Sequence, residues 1–137
     1  GYTEPCIEKV FFLLERIAPQ IAEFGTFNFC LSNGKALFSY ATTKLHWLVR
    51  EYPFQHAHLI DLDVEVDFSE VTTPEDRVAV ITTEPLTHNE AWKAYQPGEM
   101  ILFEHGQPTK HALTRVERLM REAENPALKR ITRADQY

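Results

Sequence analysis

Between residues 27 and 40 the chain reads FNFCLSNGKALFSY, two apolar runs separated by Asn33-Gly34. Asn and Gly tolerate positive φ at both central positions of a two-residue loop, so the pair closes a hairpin of the type I′ kind. That loop length sets Leu31 against Ala36, Phe29 against Phe38 and Phe27 against Tyr40 on one side. Cys30 with Leu37 and Asn28 with Ser39 take the other. Both strands agree on which side is apolar, and a one-residue slip would turn every side chain to the wrong face. The chain is thereby committed to an antiparallel sheet. The same pairing makes Asn33-Gly34 a turn rather than polar groups presented to a substrate.

Helical patterns lie on either side of this core. In residues 4–24, Ile7, Val10, Phe11, Leu14, Ile17, Ala18 and Ile21 recur at the three-and-four spacing of a buried stripe. Thr3 fits the N-cap, Pro5 the first turn and Gly25 the stop. Pro19 deletes one backbone bond and predicts a kink near Glu15. Residues 115–124 form a second helix, with Thr114 and Glu117 as a capping box and Val116, Leu119, Met120 and Ala123 as its apolar stripe. Glu117 and Arg121 are spaced to pair, and Pro126 ends the helix.

Strands are expected at residues 44–50, 77–83 and 99–104, with Pro74 at the centre of a turn over residues 72–76. HLIDLDVEVDF, residues 58–68, alternates acidic and apolar positions as a half-buried strand or extended connection would. Residues 84–98 read as a long loop. His105-Gly106 turns the chain and Gln107 begins a short return. The pattern is helix, five or six strands, helix: an α+β fold.

A chain of 137 residues is long enough to bury about two-thirds of its unfolded surface in one core. The net charge of −6 argues against nucleic acid, because phosphate binding requires a cationic surface. No apolar run reaches the length of a membrane span and no basic-then-apolar leader is visible. Two cysteines, Cys6 and Cys30, are too few for a disulfide-built secreted domain, so a reducing cytoplasm is expected. The chain opens on Gly1-Tyr2-Thr3 rather than methionine, and the expectation is that the gene product begins upstream.

Candidate chemistry is sparse. His56 and His58 could chelate a metal from one strand face, with Asp61, Asp63, Glu65 and Asp67 close behind. The period-two alternation of those carboxylates is, however, what a solvated strand face produces unaided, and no glycine bend offers a calcium loop. Cys30 packs as a small apolar residue in mid-strand. Cys6 lies in the first helical turn, where a helix dipole lowers a thiol pKa, but no partner His is placed near it. No Gly-x-Ser-x-Gly elbow and no Gly-rich phosphate loop occur. Trp47, Trp92, Tyr52 and Tyr95 could stack on a ligand but are more simply core. From the residues alone, then, there are no catalytic, cofactor-binding or metal sites to assign.

The string from Phe27 to Phe54, followed by LIDLDVEVDFSEVTTPEDRVAVITTEPLTHNEAWKAYQPGEMILF, resembles the C-terminal half of the small stand-alone class II glutamine amidotransferases. The shared order is F-N-x-x-L-S-[ND]-G, T-x-L-H-W, D-x-D-V-E-x-D-F, TTP, V-x-V-I-x-T, P-L-T-x-N-E-x-W and P-G-E, over roughly residues 7–105. The resemblance implies an αββα N-terminal-nucleophile hydrolase sandwich, of which residues 1–137 are the C-terminal portion, with residues 113–137 its helix and tail. It also implies glutamine, or another γ-glutamyl compound, as substrate, and no cofactor. The family's nucleophile is a chain-terminal cysteine whose own amino group serves as base. That cysteine, the oxyanion Asn-Gly and the Arg and Asp that hold the substrate belong to the preceding half. Cys6 is not chain-terminal, and Asn33-Gly34 falls on the family's hairpin turn, so no catalytic residue is carried over. The expected partners are the substrate and the other half of the domain, with neither nucleic acid nor membrane, and a homo-oligomer is compatible. The alternative is a non-catalytic amidotransferase-like binding or scaffold domain.

Overall fold

A computed structural model describes residues 5–53 and 73–128, together with the backbone of residues 57–58 and 65–66. Helix α1 spans Ile7–Ala22. Strands follow as β1 (Phe29–Ser32), β2 (Ala36–Ala41), β3 (His46–Glu51), β4 (Ala57–His58), β5 (Glu65–Val66), β6 (Arg77–Thr82), β7 (Lys93–Ala94), β8 (Glu99–Glu104) and β9 (Gln107–Leu113), and helix α2 (Glu117–Glu124) comes last. The first sheet runs β1-β2-β8-β9 and the second β6-β3-β7, with every pairing antiparallel. β4 and β5 pair separately, Ala57 opposite Val66.

Alternation along β2 and β8 stacks the layers. Phe38, Tyr40, Met100 and Leu102 point to α1, where Phe11, Ala18 and Ala22 are buried against them and Val116 joins from the start of α2. Ile101, Phe103 and Leu37 point the other way, onto Trp47, Val49, Ala79 and Ile81 of the second sheet. The result is a helix layer, a four-stranded sheet and a three-stranded sheet. This bears out the α+β class and the antiparallel sandwich, since β8 must be apolar on both faces to occupy such a position.

The first hairpin forms, but its register differs from expectation by two residues. Phe29 faces Tyr40 and Leu31 faces Phe38, with Cys30 opposite Ser39 and Ser32 opposite Leu37. Gly34 and Lys35 are the central residues, not Asn33 and Gly34. Gly34 alone of the two has positive φ, the pattern of a type II′ loop. The Asn33 side chain decides this. Its Oδ1 accepts the backbone N–H of Lys35 and of Ala36 at 3.0 and 2.9 Å, forming an Asx turn one position earlier. A slip of two preserves the face of every residue, so the apolar side is still the expected one.

Other expectations need correction at the helices. Ile17 and Ile21 are 39% and 43% exposed, while Ala22, absent from the expected stripe, is fully buried. The helix turns its Phe11–Ala18–Ala22 line to the sheet, leaving Leu13, Ile17 and Ile21 on its flank. Pro19 lies within α1, where the sequence places it. In α2, Met120 and Ala123 are exposed and Glu122 is buried. The expected capping box is not made, because Thr114 Oγ1 donates instead to the Gly98 carbonyl at 2.7 Å. Thr3, His56 and most of the alternating 58–68 stretch lie outside the described residues.

Candidate functional site

Cys6 is the N-cap of α1, exposed and free. Cys30 is also free, and partial burial raises its thiol pKa. A nucleophilic thiol needs the opposite shift, toward thiolate, together with a base in reach. Across the strand pair from Cys30, the Ser39 hydroxyl lies 2.6 Å from Tyr95 Oη and donates to the Ile101 carbonyl at 3.0 Å. Burial pushes the Tyr95 phenol well above its ordinary range, so it stays protonated. That pair satisfies itself between the sheets and offers no general base. Asn33 and Gly34 are consumed by the turn.

One polar network went unread in the sequence. Arg50 of β3 grips Glu90 with two parallel hydrogen bonds, Nε to Oε2 at 2.8 Å and Nη2 to Oε1 at 2.7 Å. The buried Thr87 hydroxyl donates to Glu90 Oε1 at 2.7 Å and accepts the Trp92 indole N–H at 2.9 Å. The stretch LTHNEAW is thus pinned to the second sheet by a fork-to-carboxylate pair. The hydrogen bonds from Arg50, and secondarily from Thr87, hold the Glu90 carboxyl below the usual carboxylate range and raise the Arg50 guanidinium. The signal was present as Thr, Glu and Trp at offsets of three and five residues, but nothing in the sequence said that Arg50 would meet them. Beside it, exposed Lys44 pairs with Glu84 at 2.8 Å, and His46 Nδ1 lies 3.0 Å from the Thr83 carbonyl. Trp47 is buried against Phe103, edge to face at 5.6 Å. Tyr95 is buried and Tyr52 exposed.

Among the described residues no three His, Cys, Asp or Glu side chains gather as metal ligands. The His56–His58 pairing cannot be placed, since His56 lies outside those residues and only the backbone of His58 is described. What the chain does offer is an open cleft of about 720 Å³ between the two sheets, lined by Leu37, Ala79, Ile81 and Phe103 and rimmed by Lys35 and Arg77.

Two antiparallel sheets face to face, one of them backed by helices, define a layered α+β sandwich. The chain belongs to the class-II glutamine amidotransferases, whose family model matches residues 2–127. It is similar to YafJ of Escherichia coli K12, named as a candidate glutamine amidotransferase, with 48% identity over 94 residues that make up 69% of this chain and 37% of that protein. A Haemophilus influenzae protein named in the same way is 38% identical over 104 residues, 76% of this chain and 35% of the relative. Among solved structures, the 2.0 Å crystal structure of a predicted glutamine amidotransferase from Pseudomonas aeruginosa superposes with a TM-score of 0.62 at 38% identity, covering 80% of this chain and 44% of that one. The chain spans a little over a third of the length of these two curated relatives.

Proposed function

We propose that residues 1–137 are the C-terminal portion of one class II amidotransferase domain of the N-terminal-nucleophile hydrolase kind. Its reactive cysteine is contributed by polypeptide outside this chain. That cysteine attacks the side-chain amide of glutamine, or of another γ-glutamyl compound, while its own α-amino group takes the thiol proton. A thioester forms, the proton passes to the departing nitrogen, and ammonia leaves. Water then hydrolyses the thioester and frees the thiol. The present chain builds sheet beneath that site and supplies none of the reacting groups. The reaction needs no cofactor, and two free cysteines suit a reducing cytoplasm.

The observation that carries this reading is the family match across residues 2–127. The test is an ammonia-release assay on the intact polypeptide with glutamine and γ-glutamyl peptides. Release that is abolished by a thiol-directed reagent, yet kept within about threefold in Cys6→Ser and Cys30→Ala, supports the reading. Loss of activity in either variant with the fold retained places the nucleophile inside this chain and refutes it. No release from any γ-glutamyl donor favours a binding or scaffold domain.

A further inference from the structure

Asn33 and Gly34 stand exposed at the tip of the first hairpin. The Asn33 Oδ1 accepts two backbone N–H groups, from Lys35 at 3.0 Å and from Ala36 at 2.9 Å. Donors aimed at a carbonyl oxygen stabilise the negative charge it takes up when its carbon is attacked. The nucleophile that a five-membered ring closure offers is the next peptide nitrogen, that of Gly34, whose N–H is held only by Ser32 Oγ at 3.0 Å. Gly34 has φ 86°, and apart from its chain neighbours no heavy atom lies within 4 Å of where a Cβ would stand, so nothing crowds the approach. The other three asparagines lack this combination. Asn28 Oδ1 is also held by two backbone N–H groups, from Thr42 at 2.8 Å and Thr43 at 3.3 Å, but its successor is Phe29 in β1. Asn89 precedes Glu90, whose carboxylate is gripped by Arg50. Asn125 precedes Pro126, which has no N–H to lose.

We propose that Asn33 is a site of spontaneous deamidation in the folded chain, with water as the only reagent. The Gly34 nitrogen gives its proton to hydroxide and attacks Asn33 Cγ, and the displaced charge collects on Oδ1. The carbonyl re-forms as the side-chain nitrogen takes a proton from water and leaves as ammonia. Water then opens the succinimide at either carbonyl, so that the product is aspartate or isoaspartate. Aspartate adds one negative charge to a chain of net charge −6 and keeps an acceptor for Lys35 and Ala36, so the turn persists. Isoaspartate carries the main chain through the former side chain, lengthens the loop by one carbon and takes that acceptor away. It disturbs the register that sets Ser32 opposite Leu37 and, because Gly34 and Lys35 line the inter-sheet cleft, the rim of that cleft as well. The step uses no group of the amidotransferase reading and stands whichever way that reading falls.

The test is to age the intact polypeptide at neutral pH and physiological temperature, digest it, and map the peptides by mass. The peptide carrying Asn33 should gain about 1 Da and become a substrate for an isoaspartyl-specific methyltransferase. It should do so at least about tenfold faster than the peptides of Asn28, Asn89 and Asn125, because only Asn33 is followed by a residue without a side chain. The rate should rise with pH, as removal of the Gly34 proton requires. Gly34→Ala, whose added methyl meets no neighbouring atom, should slow the gain by about tenfold. No mass gain at Asn33, a gain that comes first at another asparagine, or an unchanged rate in Gly34→Ala overturns the proposal. The same chain unfolded in urea supplies a measurement that does not depend on how the variant folds. A folded rate below about a tenth of the unfolded one means that the turn shields Asn33 instead of stabilising the attacked carbonyl, and that result overturns the proposal too.

Discussion

Glu90 shows how one carboxylate can hold a loop. It takes two hydrogen bonds from Arg50 and one from Thr87, with side chains on both ends of the ion pair only 19% exposed. Removing one partner strands the other in a partly dry site, so Glu90→Ala should cost about 2 kcal/mol, read as a lower unfolding midpoint in urea. The pH dependence has a definite sign. The folded carboxyl titrates below its unfolded value of 4.5, so the contribution is complete above that pH and is lost as pH falls through the lowered folded value. Stability measured from neutral pH down through 4.5 should fall more steeply in the natural chain than in Glu90→Gln, which has no proton to take up. Equal slopes would mean that Glu90 is not held in its charged form.

At the scale of elements, the two helices cap one another. Glu23, just past the end of α1, accepts the backbone N–H of Glu117 at 2.6 Å and of Arg118 at 3.1 Å, at the start of α2. Arg118 in return donates to the Ala22 carbonyl and to the Gly25 carbonyl, both at 2.9 Å, at the end of α1. Each helix terminus thus receives the charge its dipole favours from the other helix. Glu23→Ala should lose about 1 kcal/mol and Arg118→Ala about 2, with a coupling of about 1 between them in a double-mutant cycle. Additive losses would show the two caps to be independent. This clasp explains what the sequence could and could not disclose. The strand at residues 99–104 and the apolar side of the hairpin were legible, the first as a short continuous apolar run that suits a strand buried on both faces and the second as a period of two. The capping box at Thr114 and Glu117 is a local pattern that lost to other partners: Thr114 turned to Gly98, 16 residues away, the Glu117 side chain pairs with neighbouring Arg115 at 2.6 Å, and the Glu117 backbone N–H goes to Glu23, 94 residues away. The hairpin slipped for a local reason, since an Asn side chain that bonds its own turn competes with Asn as a central turn residue.

For the molecule as a whole, β8 is the common wall of two cores, and the rest of the design follows from it. Met100 and Leu102 close the helix layer while Ile101 and Phe103 close the inter-sheet layer. The site is less legible than the fold for the same reason: on the function proposed above this chain supplies walls and no reacting group, so its sequence shows apolar periodicity without a reactive constellation, and family order, not chemistry, pointed to the reading. The two cores can be separated by experiment. Leu102→Ala and Ile101→Ala each delete a buried branched side chain that is at most 3% exposed, and each should cost about 2–5 kcal/mol. Their consequences should fall on opposite sides of the strand. Ile101 shares its layer with Trp47 and with Tyr95, whose hydroxyl is held by Ser39, so its loss should move the Trp47 indole resonance. Leu102→Ala should leave that resonance in place and instead disturb the ring of Phe11, which lies in its own layer. If both variants shift Trp47 alike, β8 does not divide the interior in two.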